Sequence, residues 1–206
     1  MRASRTTLAP DYFHTMKTKL TTIAALLALL PTVAQAHPGH GAEGFQSGLA
    51  HPLLGWDHVL AMLAVGLWAA QLGRRALWAV PAAFIGVMAL GGALGMGGMA
   101  MPFAEQGVLL SVLVLGVLIA ASVRLPLGAS MGIVGAFALC HGFAHGAELP
   151  AGSSHAGYLL GFILATAALH GCGVLAGQSL KHSARLTWLR AAGAAICVSG
   201  AVLAAV

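Results

Sequence analysis

Residues 76–96 read ALWAVPAAFIGVMALGGALGM, an apolar stretch without one charged side chain. Its length matches the roughly 20 residues that an α-helix needs to cross the hydrocarbon core of a bilayer. Only 7% of the whole chain is charged and 59% is hydrophobic, whereas soluble domains carry about 25% charged residues. Such a chain cannot cover a water-exposed surface, so lipid must be its main solvent. We therefore predict an all-α, polytopic helical bundle in a membrane.

Apolar stretches of similar length lie on both sides of this one, separated by short polar breaks. Six spans are predicted, near residues 52–72, 76–96, 106–123, 127–149, 155–180 and 188–206. Glycine and alanine recur within these spans, which suits helices that approach one another closely in a bundle. Residues 37–206 are therefore predicted to form a single six-helix transmembrane domain.

The N-terminal residues have the layout of a secretory signal peptide. A basic start, MKTK from Met16, precedes the apolar run 20–30, and AQA at 34–36 fits a small-x-small cleavage site. We predict that residues 1–36 are removed, with Met16 as an alternative translation start. The mature chain would then begin at His37, outside the cytoplasm.

The basic residues after this leader follow the positive-inside rule. They fall in or beside alternate breaks: Arg74, Arg75, Arg124, Lys181, Arg185 and Arg190. This pattern predicts a multi-pass protein of a bacterial inner membrane with its mature N-terminus on the periplasmic side. The 10 Lys and Arg residues are too few and too scattered for a nucleic-acid-binding face. We expect the bilayer and a metal ion as partners, no nucleic acid, and leave homo-oligomer formation open.

The first of two polar clusters is HPLLGWDH at 51–58, where the chain enters the first span. Ionisable side chains inside a bilayer are energetically costly and mark functional sites by default. In a regular helix Asp57 would point about 100° away from His58, but Pro52 and Gly55 allow a bend that brings His51 and Asp57 together. Two imidazoles and a carboxylate make a site for a borderline divalent metal ion.

The second cluster, CHGFAHGAE at 140–148, lies at the outer end of the fourth span. His141, His145 and Glu148 follow one another at i, i+4 and i+7 and therefore lie on one helical face. Two histidines one turn apart can share a metal ion, and the segment does not match the HExxH motif of metalloproteases. The two clusters together predict a metal site; the alternative is that the histidines only hydrogen-bond between helices.

Three further histidines are candidate ligands on weaker grounds. His37 and His40 would lie at the mature N-terminus, where they either capture a metal ion or belong to a disordered tail. His170 lies in the fifth span toward the cytoplasm, as an inner relay ligand or as a hydrogen-bonded structural histidine.

The two clusters, in this order, make the sequence resemble the HupE/UreJ family of nickel permeases and accessory proteins. The resemblance rests on HPxxGxDH at 51–58, followed by LAMLAVGLWA at 60–69, and on HGFAHGAE at 141–148. Cys140 departs from the pattern, since an aromatic residue is expected before the HG. The resemblance implies uptake of nickel, or sometimes cobalt, across the inner membrane, so that Ni²⁺ would be a transported ion.

These observations lead to the hypothesis of a permease for a divalent transition-metal ion, and not of an enzyme. In this hypothesis His37 and His40 gather the ion, the two clusters replace part of its hydration shell, and His170 passes it inward. Three alternatives stay open. They are an intramembrane metal-dependent enzyme, which needs an open coordination position, a haem-binding electron carrier, and a metal sensor or accessory protein that moves no ion.

Overall fold

The computed structural model describes residues 42–149, 154–182 and 186–205. The predicted signal peptide and the candidate ligands His37 and His40 lie outside these residues. Within the described ranges the chain is helical, without a strand. The helices are α1 (Ala42–Leu54), α2 (Trp56–Leu72), α3 (Ala76–Met96), α4 (Ala104–Ala120), α5 (Leu127–Ala147), α6 (His155–His182) and α7 (Leu186–Leu203).

Most of these helices have the length and composition of membrane spans. Helices α3, α5, α6 and α7 are long and apolar enough to cross a bilayer, and the number is five if the bent pair α1–α2 forms one span. Helix α4 is apolar but has 17 residues, or about 26 Å at 1.5 Å per residue, which is the lower limit for a span. A polytopic helical membrane bundle is thus confirmed, while the sixth crossing stays a prediction.

The first predicted span, 52–72, is not one straight helix. The chain is already helical from Ala42, and α1 and α2 meet at Gly55 with a bend of 82°. Pro52 has no amide hydrogen to donate within α1, and glycine is a poor helix former, so the helix is interrupted here. It restarts with a hydrogen bond of 3.0 Å from the Val59 amide to the Gly55 carbonyl. The bend places His51 and His58 on different helices.

Helices α3 and α5 run parallel and touch through their backbones. A Cβ atom at Gly142 would overlap the carbonyl oxygen of Met88, and one at Gly146 would overlap that of Gly92. Small residues permit this close approach in membrane helices. Because no larger side chain fits between the two backbones, the contacts fix the register of α5, and α6 approaches α2 in the same way at Gly66.

The end of α4 is held by side chains of two neighbouring helices. Trp68 and Gln71 of α2 and Arg190 of α7 donate hydrogen bonds of 2.9–3.2 Å to the carbonyl oxygens of Val123, Ile119 and Ala120. Carbonyl groups in the last turn of a helix lack partners within the helix, so these donors satisfy them. The bonds also tie α4 to α2, which carries His58.

Candidate metal centre

Four histidines from three helices form a cluster where α5 ends. His145 lies at its middle, with ring centroids 4.5 Å from His51 and 4.2 Å from His58. The ring of His58 lies 5.1 Å from that of His141. Two features bring these rings together. The bend at Gly55 directs His51 and His58 toward α5, and the register of α5 directs His141 and His145 toward α1 and α2.

The cluster contains two groups of side chains whose ligand atoms all lie within 4.8 Å of one another. The buried group comprises His58, His141 and His145, which are 8%, 0% and 2% exposed. The outer group comprises His51, His145 and Glu148, and the Glu148 side chain is 55% exposed. His145 belongs to both groups, so they adjoin one another, one open to the surface and one enclosed.

Asp57 fixes the orientation of the His58 ring. Its Oδ1 atom lies 2.7 Å from Nδ1 of His58 and also accepts the His58 amide at 2.8 Å. An ionised carboxylate can only accept, so Nδ1 carries the proton and Nε2 keeps a lone pair. Gly55 leaves room for this pair, since a Cβ there would lie 2.7 Å from Oδ1. Asp57 thus bonds the imidazole and belongs to neither group of convergent ligand atoms.

Within the outer group, the first residue of the 51–58 motif contacts the last residue of the 141–148 motif. Nε2 of His51 lies 3.1 Å from Oε2 of Glu148, which joins α1 to the residue that follows α5. The His51 side chain is 31% exposed. An ion arriving from this surface would therefore meet a carboxylate and an imidazole before it met the buried histidines.

Several ring nitrogens of the buried group have no hydrogen-bond partner among the described residues. They are Nε2 of His58, Nδ1 of His141 and both nitrogens of His145. Buried polar atoms are paired in roughly 90% of cases or more, and an unpaired one costs about 1–3 kcal/mol. Convergent imidazole nitrogens are the ligands that nickel, cobalt, copper and zinc accept. The donor set therefore fits a borderline divalent metal ion.

His170 lies deeper in the bundle and apart from both groups. It is 1% exposed, and neither ring nitrogen has a partner in the described part of the chain. The buried ring of Phe84 stands next to it, with centroids 5.0 Å from His170 and 5.4 Å from His141. An aromatic ring thus touches both the histidine cluster and the single histidine below it.

Three residues of this region were not anticipated from the sequence. Ser111 of α4 lies 3.0 Å from Nε2 of His141, and its signal was a hydroxyl in an otherwise apolar stretch. Tyr158 lies 6.0 Å from His51, ring to ring, and its buried hydroxyl has no partner among the described residues. Phe84 gave no signal, because nothing in the sequence distinguishes it from other apolar core residues.

Comparison with known proteins identifies the family of the chain. The family described as HupE / UreJ protein matches residues 24–203, a range that contains both histidine motifs. Protein HupE of Rhizobium leguminosarum bv. viciae is 46% identical over 185 residues, which is 90% of this chain and 96% of that protein. No solved structure matches significantly. The chain, a multi-pass helical membrane protein, therefore belongs to the HupE/UreJ family.

Proposed function

We propose that the protein is a permease that moves a divalent transition-metal ion, nickel or cobalt, inward across the inner membrane. The observation that carries this proposal is the convergence, within 4.8 Å, of three buried imidazoles in a membrane bundle. Buried ionisable groups at membrane depth are typical of ion pathways. Membership of the HupE/UreJ family supports a nickel- or cobalt-handling role.

The shared histidine supports stepwise transfer between the two groups. A neutral imidazole has one lone pair, so His145 can bind one ion through one nitrogen at a time. The outer and buried groups are then successive positions of one ion and not two sites filled together. Stepwise exchange of ligands keeps binding weak enough for release, as conduction requires.

Side-chain exposure and the membrane potential support inward transfer. Glu148 and His51 meet the ion first, with His37 and His40 of the mature N-terminus as further proposed collectors on the same side. The buried group then takes it, and His170 receives it beyond Phe84. An inside-negative potential of about 100 mV favours inward movement of a dication by about 4.6 kcal/mol, at about 2.3 per charge. This free energy supports uniport of the ion.

Uptake of radioactive nickel into proteoliposomes under an inside-negative diffusion potential tests this proposal. We expect His58→Ala to slow uptake by more than about tenfold. Loss of a residue that only hydrogen-bonds to a metal ligand already costs about 10–100-fold in metal affinity or activity, and His58 is proposed as a ligand itself. His155→Ala is the matched control, because His155 is exposed at the start of α6. Equal uptake by wild type and His58→Ala would refute the proposal.

A second candidate function is that of an accessory protein that binds the ion without moving it. The observation that favours it is Phe84, whose ring contacts both His141 and His170 but offers no ligand atom. A haem protein is less well supported, since the direct contacts between the imidazoles leave no gap for a porphyrin.

Nickel uptake by the wild type separates the permease from the accessory protein, and replacement of His170 by alanine tests whether His170 lies on the pathway. His170 belongs to neither group of convergent ligands, so the variant should bind nickel with wild-type affinity. If His170 is the inner relay ligand, uptake into proteoliposomes should nevertheless fall at least about tenfold. Equilibrium binding of nickel and initial uptake rates, measured on one preparation, give the affinity and the transport rate of the variant. Unchanged uptake with unchanged binding would remove His170 from the pathway.

A further inference from the structure

The hydroxyl group of Ser111 places a proton on a particular nitrogen of His141. Ser111 Oγ lies 2.6 Å from the carbonyl oxygen of Val108 and 3.0 Å from Nε2 of His141. A hydroxyl has one proton and two lone pairs, and a carbonyl oxygen can only accept. The hydroxyl proton therefore goes to Val108, so Ser111 accepts its second hydrogen bond from His141, which requires a proton on Nε2.

This bond determines which nitrogen of His141 is free to bind a metal ion. With the proton on Nε2, the lone pair of a neutral imidazole is on Nδ1. Nδ1 of His141 is buried and unpartnered within the described residues, and His141 belongs to the buried group. Asp57 acts on His58 in the opposite sense, because it takes the Nδ1 proton and leaves Nε2 free.

We propose that Ser111 is a positioning residue of the metal centre, which holds His141 in the tautomer that binds the ion through Nδ1. The proposal rests on the proposed function and adds α4 to the helices that shape the centre. Hydrogen-bond partners of metal-bound histidines fix the tautomer and the ring orientation and strengthen binding. Ser111 has the position for this role, because it is fully buried and its hydroxyl proton is already donated to the Val108 carbonyl oxygen.

Cobalt binding by the purified full-length protein tests the role, because the visible absorption bands of Co²⁺ report its ligands. We expect Ser111→Ala to weaken cobalt affinity about 10–100-fold and to change the visible spectrum of the bound ion. Ser111→Thr keeps a hydroxyl on the same carbon and should restore both. Ser130→Ala is the matched control and should behave as wild type, since Ser130 is also buried but donates to Pro126 about three turns from His141.

Two outcomes would count against the proposal. Wild-type affinity and spectrum in Ser111→Ala, with a lower melting temperature of the metal-free protein, would show that the bond is only structural. If Ser111→Thr does not fold, its metal-free melting temperature reveals this, and the comparison of Ser111→Ala with Ser130→Ala decides. Failure of the wild type to bind cobalt or nickel would overturn the proposed function and this proposal with it.

Discussion

Replacement of His145 by alanine is expected to remove metal binding from both groups and to reduce nickel uptake to the level of empty liposomes. His145 is the one residue common to the buried and the outer group, so its loss leaves two ligands in each. His51→Ala should have a smaller effect, since it leaves the buried group complete. Equilibrium binding of Ni²⁺ and initial uptake rates measure the difference between the two variants.

A larger effect of His145→Ala than of His51→Ala is expected only if His145 is a ligand in both positions. Loss of a residue that only hydrogen-bonds to a metal ligand lowers metal affinity about 10–100-fold. Loss of a ligand common to both positions should therefore lower nickel affinity by more than about 100-fold. His155→Ala again serves as the control, because that histidine is exposed and belongs to neither group. If His145→Ala bound nickel as tightly as His51→Ala, successive positions that share His145 would be excluded.

Replacement of Gly142 by alanine is expected to destabilise the protein and to weaken metal binding together. The added Cβ would overlap the carbonyl oxygen of Met88, and neither backbone can move without shifting a helix. Overpacking of this kind costs about 1–3 kcal/mol of folding free energy. Because Gly142 follows His141 directly, displacement of α5 from α3 also displaces the ligand. Thermal unfolding and nickel affinity measure the two effects.

Gly132 supplies the matched control on the same helix. A Cβ at Gly132 would meet no atom within 4 Å, so Gly132→Ala should leave nickel affinity unchanged. It should also stabilise α5 slightly, since glycine in a helix is about 0.5–1 kcal/mol less favourable than alanine. Equal melting temperatures for the two variants would mean that the contact between α3 and α5 is looser than described.

The helices were largely predictable, because long apolar stretches and polar breaks are local signals. The exception was the first span, where polar residues in α1 such as Glu43 and Gln46 concealed a helix that begins at Ala42. The bend at Gly55 was anticipated as a possibility from Pro52. Its angle was not predictable, because it depends on the packing of α1 against α6.

The candidate site was predictable in its residue types but not in its pairing. The spacing of His141, His145 and Glu148 gave one helical face, yet that face is divided between two groups. Asp57 was expected among the ligands; its Oδ1 atom contacts the ring of His58 and it lies in neither group of convergent ligand atoms, so its role as a direct ligand stays a prediction. Contacts of this kind depend on the register between helices, which single-sequence periodicity does not report, and the same reason concealed Ser111 on α4.

The location of a bound nickel ion tests the account most directly. Crystals grown with Ni²⁺ and measured at the nickel absorption edge would reveal the ion by its anomalous scattering. The account predicts a peak in the buried group, in contact with Nε2 of His58, Nδ1 of His141 and a nitrogen of His145. A peak outside both groups, with those nitrogens bonded to neighbouring backbone, would contradict it.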